Sequence, residues 1–309
     1  MIEIKQLTKK YTDKVAVDNL TLDIHSGVVT GFLGPNGAGK STTMRMILGL
    51  IDPTKGYVFI DKKPYCKLDN PINKIGALID ADAVNPRFSA RQHLTFMATA
   101  ANLSKARVEE MIFLTGLEKA GDKPIKEYSF GMRQRLGIAG ALIGDPDTII
   151  LDEPFNGLDV DGIKWLRKLT MDLALRGKAV LVSSHLMGEV QEIAGRVIVL
   201  ARGQLIADMD MKEMNQRSLS GYVQVKTNRA QELRRALESK GADVISNGKD
   251  DIQVRNMEIK KIGEIAFVNN IPLYELSKYQ PTLEQLYTEL TKGREDYSSN
   301  NTKKKREEK

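Results

Sequence analysis

An α/β fold, with a largely parallel sheet covered on both faces, is what this sequence predicts, on three observations. The apolar stretch VVTGFL runs directly into GPNGAGKST and then TTMRMILGL, which reads as strand, glycine-rich loop and helix. Two later runs, TIILDE (148–153) and KAVLVSSH (178–185), are too continuously apolar to keep a solvated face. Parallel strands separated by helical stretches define the α/β class.

Taken in order, IEIKQL and LTLDIHSG alternate as strands and VVTGFL supplies a third ahead of the glycine turn. From about residue 86 to 145 the texture becomes helical. Ser89 opens a capping box with Gln92, Leu94, Met97, Ala98 and Ala101 follow at helical spacing, and Val108, Met111 and Ile112 mark a second helix. A mainly helical subdomain is expected there. Beyond about residue 215 the pattern changes again. YVQVKT, AQELRRALESKG, DVISN, DIQVRN, IKKIGEIAFVNN and PLYELSK read as β, α, β, β, α and β, with Thr282 and Gln285 capping a trailing helix. That order predicts a small α+β domain of ferredoxin-like type over about 220–292, carrying no chemical motif.

Composition sets the bounds. With 309 residues and 41% hydrophobic content, the chain can bury a full core, and its length favours two domains. It holds no run of about 18 apolar residues and its first residues lack a secretory signal, so a soluble protein is expected. The single cysteine, Cys66, has no partner for an internal disulfide and no ligand cluster beside it, which fits a reducing cytoplasm without structural zinc. The net charge of +6, from 46 basic and 40 acidic residues, is mixed along the chain, so nucleic acid is not the expected partner. The last residues, NTKKKREEK, form the one basic run, and acids interrupt it. From about Gly293 the chain is expected to be a disordered polar tail, with anionic lipid or RNA contact as the alternative.

Chemistry concentrates in a few places. Gly34, Gly39, Lys40 and Ser41 satisfy G-x-x-x-x-G-K-[ST] between a strand and a helix, where backbone N–H groups and the helix N-terminus favour phosphate. Gly37, Asn36 and Thr42 belong to the same loop; Lys40 would meet the γ-phosphate and Ser41 a Mg²⁺ ion. Asp152 ends an apolar strand, where ligands bind in open α/β sheets, and could hold Mg²⁺ through water; Glu153 is placed to polarise an attacking water. Two adjacent acids at a strand end also make an ordinary turn. YSFGMRQRLGIAGAL offers Ser129 and Gly131 at a second helix N-terminus, and His185 closes the strand VLVSSH; a lone strand-end histidine is more often structural, but its order after ILDEP favours a place at the sheet edge, stabilising the γ-phosphate.

The order glycine-rich loop, SFGMRQ, ILDEP, NGLD and SSH resembles the P-loop ATP-binding cassette of ABC transporters over about residues 1–215. The resemblance implies ATP and Mg²⁺ as cofactors, a head-to-tail dimer of two copies or of two related ATPases, and nucleotide held between the phosphate loop of one and the SFGM segment of the other. It also implies that Tyr11 stacks on adenine and that Asp159, in NGLD, communicates between the sites. Two motifs depart from the common pattern. YSFGM replaces LSGGQ, and KIGALIDADAVNP puts Asp80, or in another register Asp82, where a metal- or water-contacting Gln is usual. Both departures are similar to the bacitracin-, lantibiotic- and daunorubicin-type exporters. In that family a separate integral membrane permease forms the pore, which places the cassette peripherally on the cytoplasmic face of the cell membrane. A soluble ABC-type ATPase acting on ribosomes or DNA is the alternative, and a nucleotide switch with little hydrolysis is a third reading.

Overall fold

The structure is a computed structural model that describes residues 1–219, 221–246, 248, 250–279 and 283–291. The polar tail expected from Gly293, and Thr282 of the expected cap, lie outside the described residues. The chain divides into two compact units, Met1–Met211 together with the described residues from Glu289, and Lys212–Thr288.

The first unit opens with β1 (Ile2–Lys10), β2 (Val15–Ile24) and β3 (Val29–Leu33), followed by α1 (Lys40–Ile47), β4 (Lys55–Ile60), α2 (Pro71–Lys74) and β5 (Ile75–Leu78). Helices α3 (Ala90–Ala100), α4 (Lys105–Leu114) and α5 (Phe130–Leu142) come next, within the stretch read as helical. β6 (Thr148–Leu151), α6 (Val160–Leu175), β7 (Ala179–Ser184), α7 (Met187–Gln191), β8 (Arg196–Ala201) and β9 (Gln204–Asp210) complete it, and α8 (Met211–Leu219) leads out.

The main sheet runs β5-β6-β7-β3-β8-β9, parallel except for the antiparallel β9. Strand parity sends alternate side chains to two cores. Ile149, Leu151, Val180 and Val182 pack with Leu94, Met111, Leu136 and Leu166 of the helices. Ile150, Leu181, Phe32 and Ile198 pack on the other face with Ile2, Ile4, Leu20 and Ile24. Both faces are therefore buried, which is why these strands read as unbroken apolar runs. The cover on the second face is itself a sheet, β2-β1-β4, antiparallel throughout. Nothing in the sequence pattern distinguished β1 and β2 from strands of the main sheet, and β4, β8 and β9 were not read at all.

The capping box of α3 forms as expected: the Ser89 hydroxyl accepts the Gln92 N–H at 3.1 Å, and Gln92 Oε1 accepts the Ser89 N–H at 2.9 Å.

The second unit contains β10 (Tyr222–Lys226), α9 (Ala230–Glu238), β11 (Asp243–Ser246), β12 (Asp251–Arg255), α10 (Ile259–Val268) and β13 (Glu275–Tyr279), and α11 (Leu283–Thr291) begins in it. Its sheet is antiparallel in the order β11-β12-β10-β13, the βαββαβ arrangement of a ferredoxin-like fold. Val223, Val225, Leu233, Leu237, Ile252, Val254 and Ile262 make a separate core.

Candidate active site

The glycine-rich loop leaves the C-terminal end of the central strand β3 and enters α1 with Gly39 as its N-cap, at φ 101°. A Cβ on Gly39 would lie 2.4 Å from the Ala16 carbonyl oxygen, so both the backbone angle and the space require glycine. Gly37 is left-handed as well, at φ 85°. The loop thereby wraps around a cavity of about 320 Å³ lined by Tyr11, Lys14, Asn36, Gly37, Gly39, Lys40, Ser41, Thr42 and Glu153 among others. Tyr11 stands at its rim, half exposed in a tight turn closed by its N–H to the Lys14 carbonyl.

Lys40 is only 6% exposed, and its ammonium needs partners in so dry a place. It donates to the Gly34 carbonyl at 2.6 Å and lies 3.3 Å from Glu153 Oε1. The other carboxylate oxygen of Glu153 is 2.8 Å from His185 Nδ1. One carboxylate thus joins the loop lysine to the histidine that follows β7. A buried cation in a cavity lined by the glycine-rich loop and the start of α1 is a fit for a polyphosphate, and Ser41 of the lining and Asp152, next in sequence to Glu153, are oxygen donors of the hard type that Mg²⁺ prefers.

Asp152, 9% exposed, follows β6, and its carboxylate Oδ1 accepts the Ser183 hydroxyl at 2.5 Å. The same hydroxyl accepts the Glu153 N–H at 2.8 Å. Glu153 has a left-handed φ of 47°, and its carbonyl accepts the Gln134 side-chain amide at 3.2 Å. Ser183 and Gln134 were not singled out in the sequence; a serine inside an apolar strand and a glutamine inside a helix carry no signal until their partners are known. Glu189 of α7 is also new. Its carboxylate accepts the Ser184 hydroxyl at 3.2 Å. Burial pushes its carboxyl above the ordinary range and the Glu153 charge adds to that, against the Ser184 bond.

The remaining predicted residues do not line this cavity. Ser129 is the N-cap of α5, its hydroxyl accepting the Met132 N–H at 3.2 Å, and Gly131 is pressed against the Gly157 carbonyl so closely that a Cβ would meet it at 2.6 Å. Asp159 caps α6 by accepting the Gly162 N–H at 2.8 Å. Asp80 is exposed just beyond β5, and its carboxylate accepts the Asp82 N–H at 2.9 Å. Asp82 in turn pairs with Arg133 of α5 at 2.6 Å.

Comparison with known proteins accords with this geometry. The family described as ABC transporter matches residues 17–156, and one described as Domain of unknown function (DUF8746) matches residues 221–284. The "Uncharacterized ABC transporter ATP-binding protein YhcH" of Bacillus subtilis is 35% identical over 300 residues, covering 94% of this chain and 96% of the relative. The chain belongs to the ABC transporter ATP-binding family. The "Bacitracin transport ATP-binding protein BcrA" of Bacillus licheniformis is 30% identical over 299 residues, covering 95% of this ABC subunit and 98% of the relative. A solved "Dimeric Structure of MJ0796, a Bacterial ABC Transporter Cassette" superposes with a TM-score of 0.63 at 26% identity, over 68% of this chain and 99% of that one. This ABC subunit is therefore an ATP-binding ATPase of a transporter, and the alternative of an enzyme acting on ribosomes or DNA is without support. No described helix is long and apolar enough to cross a membrane.

Proposed function

We propose that the chain hydrolyses ATP as one half of a head-to-tail dimer and drives export of a peptide antibiotic, drug or lipid-like molecule through a separate integral membrane permease. The observation that carries this reading is the placement of Glu153 at the mouth of the glycine-rich loop, between Lys40 and His185. The exporter assignment draws support from the bacitracin-transport relative and from the YSFGM and Asp80 departures.

ATP binding inserts phosphate oxygens among the N–H groups of Gly37, Gly39 and Lys40, with Tyr11 against the adenine. Lys40 then turns from Glu153 to the phosphate, since a triphosphate outcompetes a single carboxylate for one ammonium. That exchange releases Oε1 of Glu153 to orient water for in-line attack and receive its proton. His185 stays on the other oxygen of Glu153, holding the carboxylate in place and meeting the charge that develops on the transferring group. Ser41, Asp152 and Asp80 are the residues that would hold Mg²⁺, whose charge offsets that of the phosphates. Ser129, Gly131 and Asp159, which do not line the cavity of their own chain, act on the nucleotide of the opposing subunit.

The test is to tag the E153Q chain, trap it with ATP in its own cells and identify what co-purifies from gently solubilised membranes. A stoichiometric multi-span membrane protein is expected. Ribosomal or DNA-bound partners with nothing from the membrane would refute the exporter. Turnover is expected to fall about a hundredfold or more in E153Q, since general-base loss costs that much; a nucleotide switch with little hydrolysis would scarcely change.

A further inference from the structure

Ser183 is fully buried near the end of β7, beside β6, where Leu151 is aligned with Val182. The residue after each aligned pair is therefore Asp152 on one strand and Ser183 on the other. A hydroxyl carries one proton, so its two bonds here have a fixed sense: it gives that proton to Asp152 Oδ1 and takes the Glu153 N–H on its lone pair. Glu153 meanwhile occupies a left-handed backbone conformation that is strained for a non-glycine residue and persists only where its surroundings impose it. Three bonds hold it: Ser183 accepts the Glu153 N–H, and the Glu153 carbonyl accepts the Gln134 side-chain amide and the Asn156 N–H.

We infer that Ser183 is a positioning residue for ATP hydrolysis: one buried hydroxyl fixes the Asp152 carboxylate and, through the backbone, aims the Glu153 carboxylate at Lys40 and His185. The inference rests on the roles given to Asp152 and Glu153 under Proposed function. Valine would suit a buried parallel strand better, as Val180 and Val182 of β7 attest, but it would leave a part-buried N–H and a buried carboxylate oxygen without the Ser183 hydroxyl. Neighbouring Ser184 cannot substitute, because its hydroxyl is engaged with the Leu186 backbone and with Glu189.

The experiment compares full-length wild type, S183A and S183T in steady-state ATPase kinetics and in binding of a fluorescent ATP analogue as Mg²⁺ is titrated. In S183A, kcat is expected to fall about tenfold or more with KM for ATP held within about twofold, because the phosphate loop is untouched. The Mg²⁺ concentration giving half-maximal analogue binding should rise several-fold, and S183T, which keeps the hydroxyl, should recover most of both losses. If S183A does not fold, S183C takes its place, retaining the volume while weakening the hydrogen bonds. Wild-type kcat and an unshifted Mg²⁺ midpoint in S183A would overturn the inference. So would equal losses in S183A and S183T together with lost metal-free analogue binding, which would mean that the serine only packs. A wild-type chain that binds the analogue but does not hydrolyse ATP would count against the proposed function alone, and the Mg²⁺ midpoint would still decide the role of Ser183.

Discussion

Asp80 shows how one short carboxylate can reorganise the neighbours of a site. A Gln side chain in its place would reach one methylene further and carry no charge, whereas the Asp80 carboxylate is short enough to accept the N–H two residues on, at Asp82. Asp82 is then free to pair with Arg133, whose guanidinium also donates to the Tyr128 carbonyl at 2.6 Å, just ahead of Ser129. The turn begun by Asp80 is thus linked by two side chains to the segment proposed to contact the opposing nucleotide. In Asp80→Gln that turn loses its hydrogen bond and the region gains neutrality, so ATP turnover should change about threefold or more, with the substrate-coupled rate affected most. Equal turnover and equal transport in the two proteins would remove Asp80 from the coupling argument.

At the scale of elements, the helical stretch between β5 and β6 was readable because α3 states its own boundaries: Ser89 and Gln92 announce the start, and Leu94 and Ala98 face the core. The glycine-rich loop was readable for the same reason, since Gly39 answers a local backbone demand. The Ser183–Asp152–Glu153 group was not, because its residues lie 30 and 31 positions apart in sequence and meet only through parallel strand pairing. β1 and β2 were read as strands but not placed, because alternation reports a strand and not the sheet it joins. Within α3, burial lowers the His93 imidazole below its usual 6.5. The folded chain therefore resists a proton that the unfolded chain accepts, and the stability this residue supports above that pH is lost as pH falls from it through the lower folded value. H93Q removes the term. Its melting temperature should fall less than that of the wild type between about pH 7.5 and 5.5, and parallel pH profiles would place the acid sensitivity elsewhere.

For the whole molecule, the division into cores makes the sharpest claim. Every residue of the two cores around the main sheet belongs to Met1–Met211, and every residue of the third belongs to Lys212–Thr288. The first unit carries the whole loop cavity and the Lys40–Glu153–His185 group. A ligand that binds one folded unit stabilises that unit by mass action, about 2.7 kcal/mol at a concentration a hundred times Kd. For a unit of roughly 200 residues this corresponds to about 5–10 °C in Tm. Scanning calorimetry of the E153Q chain should therefore show two transitions, and ATP with Mg²⁺ should raise only the one that a chain ending at Met211 reproduces alone. E153Q is the form to use because the ligand is not consumed during the scan. A single transition that moves as a whole would mean that the ferredoxin-like unit reports on the nucleotide site, and its separate core would then have to be read as part of the ATPase rather than beside it.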